Sequence, residues 1–238
     1  KELYYPVYFI KSNAYMNTKQ LAYLDAMDIS VWQKRNMQSI PITMDIQTIS
    51  PTAEGIWEKL ELQVKNCTLC ELSKTRTQTV FGVGNRQTDL LLIGEAPGAS
   101  EDAQGEPFVG RAGLLLNEML KSIGLNRQTT YITNILKCRP PNNRDPLPHE
   151  VKLCTPYLNE QITLINPKMI VAIGRIAAQF LLNTDTPIGK MRTQLHHYGE
   201  KKIPLIVIYH PAYLLRSPRE KAKAYRDMLQ IQKILKSL

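Results

Sequence analysis

TDLLLIGEAPG, residues 88–98, passes through four consecutive large apolar side chains, Leu90 to Ile93, and stops on Gly94 and Pro97–Gly98. An apolar run of that length without polar alternation reads as a strand buried on both faces, and glycine and proline punctuate its end. The same signature recurs downstream in TYITNILK (130–137), KMIVAIG (168–174) and IPLIVIYH (203–210). Between these runs the period changes to that of helices: VGRAGLLLNEMLKSIG (109–124), HEVKLCTPYLNEQITLIN (149–166), RIAAQFLL (175–182) and a closing basic segment, 218–236. Alternation of this kind predicts an α/β three-layer sandwich, with a central, mostly parallel four-stranded sheet covered by helices on both faces. Ligands of such sheets bind at the carboxyl ends of the strands. That rule selects GEAPG (94–98), Asn134, Gly174 and HPAYLLR (210–216).

Upstream, AEGIWEKLELQVKN (53–66) reads as a helix running into Cys67, and 36–52, polar with two prolines and no period, reads as a linker. Residues 19–35 predict a short amphipathic helix, with Leu21, Leu24 and Ile29 among polar neighbours. The expected organisation is an N-terminal extension, 1–52, and one larger domain, 53–238. The sequence opens on Lys1, and Met16 is a candidate start. The opening KELYYPVYFI has too short an apolar run for a secretory signal, and no small-residue cleavage site follows it. No run of about 18 apolar residues exists, which excludes a transmembrane helix. A cytoplasmic monomer with no membrane contact is expected.

The net charge is +9, and it is unevenly placed. Residues 1–52 hold five basic and four acidic side chains, whereas residues 201–238 hold nine basic against two acidic. A basic segment beside a strand-end site suits a phosphate-bearing partner.

All four cysteines fall into two pairs, Cys67-x2-Cys70 and Cys138-x15-Cys154. Four are too few for a secreted disulfide scaffold. The first pair has metal-ligand spacing, and thiolates so spaced hold zinc or an iron–sulfur cluster; four buried free thiols would leave the same sequence. Zinc ribbons repeat CxxC twice and this chain does not, which leans toward a cluster.

Cys67-x2-Cys70, GEAPG, EPFVGRAG (106–113), YITNILKCRPPNNRDPLP (131–148) and YHPAYLLR (209–216), in this order, resemble the family 4 uracil-DNA glycosylases. The resemblance covers about residues 56–236. It implies a DNA-repair enzyme that flips uracil out of single- or double-stranded DNA and hydrolyses its N-glycosidic bond, leaving an abasic site. A non-catalytic iron–sulfur or zinc DNA-binding module using the same cleft is the alternative. A related branch forms a covalent uracil–DNA adduct and carries a basic, His-containing insertion. Here NILKC passes directly into RPPNNR, so the resemblance is to the hydrolytic branch.

Residue by residue, the resemblance makes Phe108 the aromatic that stacks on uracil, Asn134 the reader of its edge and His210 the donor to its O2. Glu95 becomes the carboxylate facing water or the sugar cation, on a loop where the best-studied uracil glycosylases carry Asp at the position of Ala96 here. Gly94, Ala96 and Gly98 line the base site. Gly98 stands where related enzymes exclude thymine with a Tyr, and Glu101 is the candidate replacement barrier. Leu214 matches the leucine that wedges into the vacated stack. Tyr213, Arg216, Arg139 and Arg144 are expected to meet DNA. Cys67, Cys70, Cys138 and Cys154 match the ligands of a [4Fe–4S] cluster, with zinc as the alternative. Residues 1–35 are a candidate docking segment for a repair or replication protein.

Overall fold

The structure, a computed structural model, describes residue 19 and residues 53–238. The helix expected over 19–35, Lys19 apart, and the linker expected over 36–52 lie outside the described residues. The first half holds helices α1 (Ala53–Lys65) and α2 (Leu72–Thr75), strands β1 (Val83–Gly84) and β2 (Leu90–Gly94), helices α3 (Ala99–Gln104) and α4 (Arg111–Lys121), and strand β3 (Tyr131–Asn134). After α5 (Pro148–Ile165) come β4 (Met169–Ile173), α6 (Arg175–Leu182) and α7 (Ile188–Met191). The chain closes with β5 (His196–Tyr198), β6 (Ile203–Ile208), α8 (Pro211–Arg216) and α9 (Lys221–Leu235).

The six strands form one sheet in the order β1-β3-β2-β4-β6-β5. The four apolar runs are its parallel centre, β3-β2-β4-β6, in register Leu92↔Ile132, Leu92↔Val171 and Val171↔Ile206. The sheet is wider than the four strands expected, because β1 and β5 pair antiparallel on its two edges. Alternation along the strands divides the core in two. Leu91, Ile93, Ile170, Ala172, Leu205 and Val207 face α1, α5 and α6 through Leu60, Leu158 and Ala178. Leu90, Leu92, Val171, Ile173, Ile206 and Ile208 face α4 and α9 through Leu116, Leu120, Met228 and Ile231. Three layers result, as the apolar runs require.

Helix α9 is also fixed by charge. Arg192 and Asp227, both buried, form a two-point ion pair at 2.6–2.8 Å, and the Arg192 guanidinium lies 4.0 Å above the Tyr209 ring. Among the described residues no helix is long and apolar enough to cross a membrane.

Candidate active site

β2 leads to β3 on one side, and the chain then crosses back over β2 to place β4 on the other. The carboxyl ends of β2 and β4 are therefore the switch point where a doubly wound sheet opens a crevice. A cleft of about 490 Å³ lies there, walled by Glu95 to Gly98, Phe108, Asn134, Gly174 and His210. Arg144, Asp145, Arg175, Tyr213 and Arg216 also line it. The strand-end residues singled out in sequence thus share one cavity of ligand size.

Asn134 ends β3 and is 2 % exposed, yet its Oδ1 has no hydrogen-bond partner. Buried amide oxygens are almost always paired, so this one marks a place where a ligand's donor belongs. Gly94, the register partner of Asn134, keeps that place open. A Cβ on Gly94 would run into Asn134 Oδ1 and would sit 2.7 Å from Phe108 Cζ. The slot between amide and ring therefore exists because residue 94 has no side chain. Phe108 is held at φ 55°, where non-glycine residues are uncommon. Arg127 fixes it there: Nη1 donates to the Phe108 carbonyl at 3.1 Å and Nη2 to the Pro107 carbonyl at 2.7 Å.

The His210 ring lies 5.6 Å from the Phe108 ring, centroid to centroid. Its Nδ1 accepts the Ala212 N–H at 3.1 Å, capping α8. With Nδ1 accepting, the ring proton of the neutral imidazole resides on Nε2. Burial, and then the nearby Arg216, push His210 down to about 4, against an opposing pull from Glu101. The ring is neutral at physiological pH and offers one donor. Gly174, at φ +93°, brings the β4 end against it: a Cβ there would lie 3.1 Å from His210 Cβ. Glu95 is pushed up to about 7, first by burial and then by Asp145, while Arg175 acts the other way. Arg175 pairs with Asp145 at 3.2 Å on the cleft wall.

Glu101 Oε1 accepts the N–H groups of Val109 and Gly110 at 2.9 and 3.0 Å, anchoring the loop of Phe108 at the start of α4. Its Oε2 occupies the space beside Gly98, 2.7 Å from where a Cβ would be. Ala96 lines the cleft and packs behind it on Leu136 and Cys138. Leu214 departs from its expected place: it is 1 % exposed and sits in the α4–α9 core, so α8 presents Tyr213 and Arg216 to the cleft instead. The reason is helical geometry, which turns position 214 toward α4 and α9. Arg144 reaches the cleft, but its guanidinium forks onto the buried Glu150 carboxylate at 2.5 and 2.9 Å. Arg139 lies off the cleft wall, bonding Asn143 at 2.8 Å. Arg127, Asp145 and Arg175 were absent from the sequence-based set. Arg175 was within reach of the strand-end rule, one residue past Gly174; Arg127, 19 residues from Phe108, had no local signal.

Cys67, Cys70, Cys138 and Cys154 line a second cavity, walled by Val64, Leu72, Leu136 and Leu153, and none is in a disulfide. Arg76 Nη1 donates to Cys138 Sγ at 2.9 Å, and the Lys137 backbone N–H donates to Cys154 Sγ at 3.3 Å. Burial pushes Cys154 up to about 11. Four sulfurs in apolar walls, two of them accepting N–H donors, are a donor set suited to a thiolate-bound metal group. Among the described residues the cysteines are not drawn together as the ligands of a single ion.

A strand-end cleft with a buried amide and a neutral histidine in its wall suits a small planar ligand, and comparison with known proteins gives the class. Residues 81–231 match the family model of the uracil DNA glycosylase superfamily. The chain is 47 % identical over 175 residues to the type-4 uracil-DNA glycosylase of Archaeoglobus fulgidus, covering 71 % of this chain and 88 % of that protein. It is 45 % identical over 168 residues to the type-4 uracil-DNA glycosylase of Thermotoga maritima, covering 70 % and 86 %. The chain belongs to the type-4 uracil-DNA glycosylases, within that superfamily.

Proposed function

We propose that this protein removes uracil from DNA by hydrolysing the N-glycosidic bond. The observation that carries the reading is the unpaired Asn134 Oδ1 in the slot between Gly94 and Phe108. Uracil presents O4 as an acceptor and N3–H as a donor. An amide at 134 meets both, with Nδ2 donating to O4 and Oδ1 accepting N3–H, whereas cytosine reverses the pattern. Phe108 stacks on the flipped base, and Glu101, filling the space beside Gly98, walls the face where thymine carries its methyl group.

In the reaction the N1–C1′ bond breaks and its electron pair leaves on uracil, where negative charge collects at O2. The His210 Nε2–H points its dipole at that charge. Water then adds to the cationic C1′, and the proton it gives up neutralises the uracil anion, so free uracil and an abasic site remain. Glu95, beside the sugar, stabilises the cation and orients the water in its ionised form. Tyr213, Arg216 and Arg175 line the route of the DNA strand, with Arg144 held near it by Glu150 and Arg139 further out. Cys67, Cys70, Cys138 and Cys154 would hold a [4Fe–4S] cluster, which would supply a structural tie between α1, α5 and the loop after β3.

The direct test is an oligonucleotide with one uracil, incubated with wild-type protein: free uracil and an alkali-labile site are expected. Intact DNA that is nonetheless bound would favour the non-catalytic module. Two further results are expected. Gly94→Ala fills the base slot and lowers kcat/KM on the order of a hundredfold, since small misplacements at a reacting centre cost that much. A wild-type kcat/KM for that variant would remove the slot from the site. The second concerns pH. A carboxyl raised to about 7 is protonated below that value, so kcat/KM rises with pH up to about 7 and is level above it. Glu95→Gln abolishes this acid limb; a wild-type profile already flat between about pH 5.5 and 8.5 would exclude the Glu95 carboxylate from the rate-limiting step.

A further inference from the structure

Lys137 lies three residues past the uracil reader and is 1 % exposed, among the largest fully buried side chains of the protein. Its ammonium carries three N–H donors. All three are placed: on the Asn134 carbonyl at 2.8 Å, on Thr133 Oγ1 at 2.7 Å and on Gln161 Oε1 at 2.6 Å. Gln161 is anchored in turn, its Nε2 donating to the Phe81 carbonyl at 3.0 Å, to which Thr133 Oγ1 also donates at 2.9 Å. These bonds converge from α5 and the segment before β1 onto the last two residues of β3.

No carboxylate is among the bonding partners of Lys137. Its own backbone N–H donates to Cys154 Sγ, and the next residue is Cys138. A single residue therefore has its main chain on the cysteine site and its side chain on the peptide that carries the uracil-reading amide. A core position filled for packing alone would not need an ammonium, whose burial is costly unless every donor is met. Here one donor holds the main-chain carbonyl of Asn134, whose own side-chain oxygen is left free, and the other two hold the Thr133 and Gln161 side chains beside it.

We infer that Lys137 is the positioning residue for Asn134, holding the reading amide in register with the base slot and tying its aim to the cysteine site. The inference rests on Asn134 as the uracil reader. It assigns Lys137 no contact with substrate. Removing the ammonium frees the β3 end, so the amide loses its fixed angle before any part of the DNA surface changes.

The test uses full-length protein and free uracil as the probe. Wild-type protein is first titrated with uracil. Lys137→Met, which keeps length and volume, is expected to weaken uracil binding at least tenfold and to lower kcat by a similar factor. The inhibition constant of uracil-free competitor DNA should change less than threefold, and metal content per chain should stay at the wild-type level. Gln161→Leu, which removes the far anchor while leaving the lysine, should weaken uracil binding at least threefold. That variant decides the matter if Lys137→Met does not fold. Unchanged uracil binding in folded Lys137→Met, or in Gln161→Leu when the first cannot be prepared, overturns the inference and leaves Lys137 a packing residue. Loss of uracil and competitor binding together also overturns it, as a general collapse of the cleft. A wild-type protein that binds no uracil and releases none from DNA would instead remove the reading of the site on which the inference stands.

Discussion

His210→Asn is expected to lower kcat by about 10²–10³-fold, the usual cost of losing one preorganised donor to a developing anion, while DNA affinity stays near wild type. Asparagine is chosen because His210 has a structural task besides the proposed catalytic one. Its Nδ1 caps α8 by accepting the Ala212 N–H, and an alanine would leave that N–H orphaned at a cost of about 1 kcal/mol. Asparagine is a good N-cap, so the helix keeps its first bond and only the ring donor is lost. His210→Ala should therefore be both slow and less stable, and His210→Asn slow alone. A neutral donor also has a pH consequence. With the ring pushed down to about 4, wild-type kcat should show no histidine limb above about pH 5, and the acid limb near 7 belongs to Glu95. Stopped single-turnover excision from a uracil oligonucleotide, with binding measured separately, reads both effects. Wild-type turnover in His210→Asn would exclude His210 from bond cleavage.

Much of this arrangement was legible in sequence because it depends on local pattern. Four apolar runs, each ending in glycine or a polar residue, required a parallel sheet and put Gly94, Asn134, Gly174 and His210 at one end of it. The edge strands were not legible. β1 has two residues, and β5 is His196–Tyr198, half-exposed and without apolar alternation, so pairing with a neighbour rather than intrinsic pattern makes them strands. The motif placed Leu214 at the DNA surface, whereas α8 packs it against α4 and α9. Long-range polar contacts were invisible for a different reason. Arg127 to Phe108 and Gln161 to Lys137 join residues 19 and 24 apart, and no periodicity records such pairs. What sequence could supply for them was only that Lys137 sits inside a motif otherwise explained by Asn134 and Cys138.

The other large effect is expected at the cysteines, in the double variant Cys67→Ala/Cys70→Ala. Residues 66–80 contain only the four-residue helix α2, and the apolar cluster beneath them is small: Leu72, Leu136 and Cys138, with Cys70, Ala96, Val151 and Cys154 at its margin. Hydrophobic burial alone gives this segment little hold on α5. A metal group joining residue 70 to residue 138 would close a loop of roughly 70 residues, which on the chain-entropy estimate is worth about 4 kcal/mol, or about 10 °C in melting midpoint for a domain of this size. Because the native fold alone gathers the four sulfurs, binding energy at this site is folding energy. The variant should lose its metal, melt earlier by about that amount, and lose uracil excision mainly through the reduced folded fraction. The Lys137 N–H and Cys154 remain, so uracil binding per folded molecule should fall less than in Lys137→Met. Iron and acid-labile sulfide analysis of anaerobically purified wild type, beside melting curves of both proteins, tests each step. One zinc per colourless chain would replace the cluster by an ion, and an unchanged midpoint in the variant would show that the cysteine site does not hold the fold together.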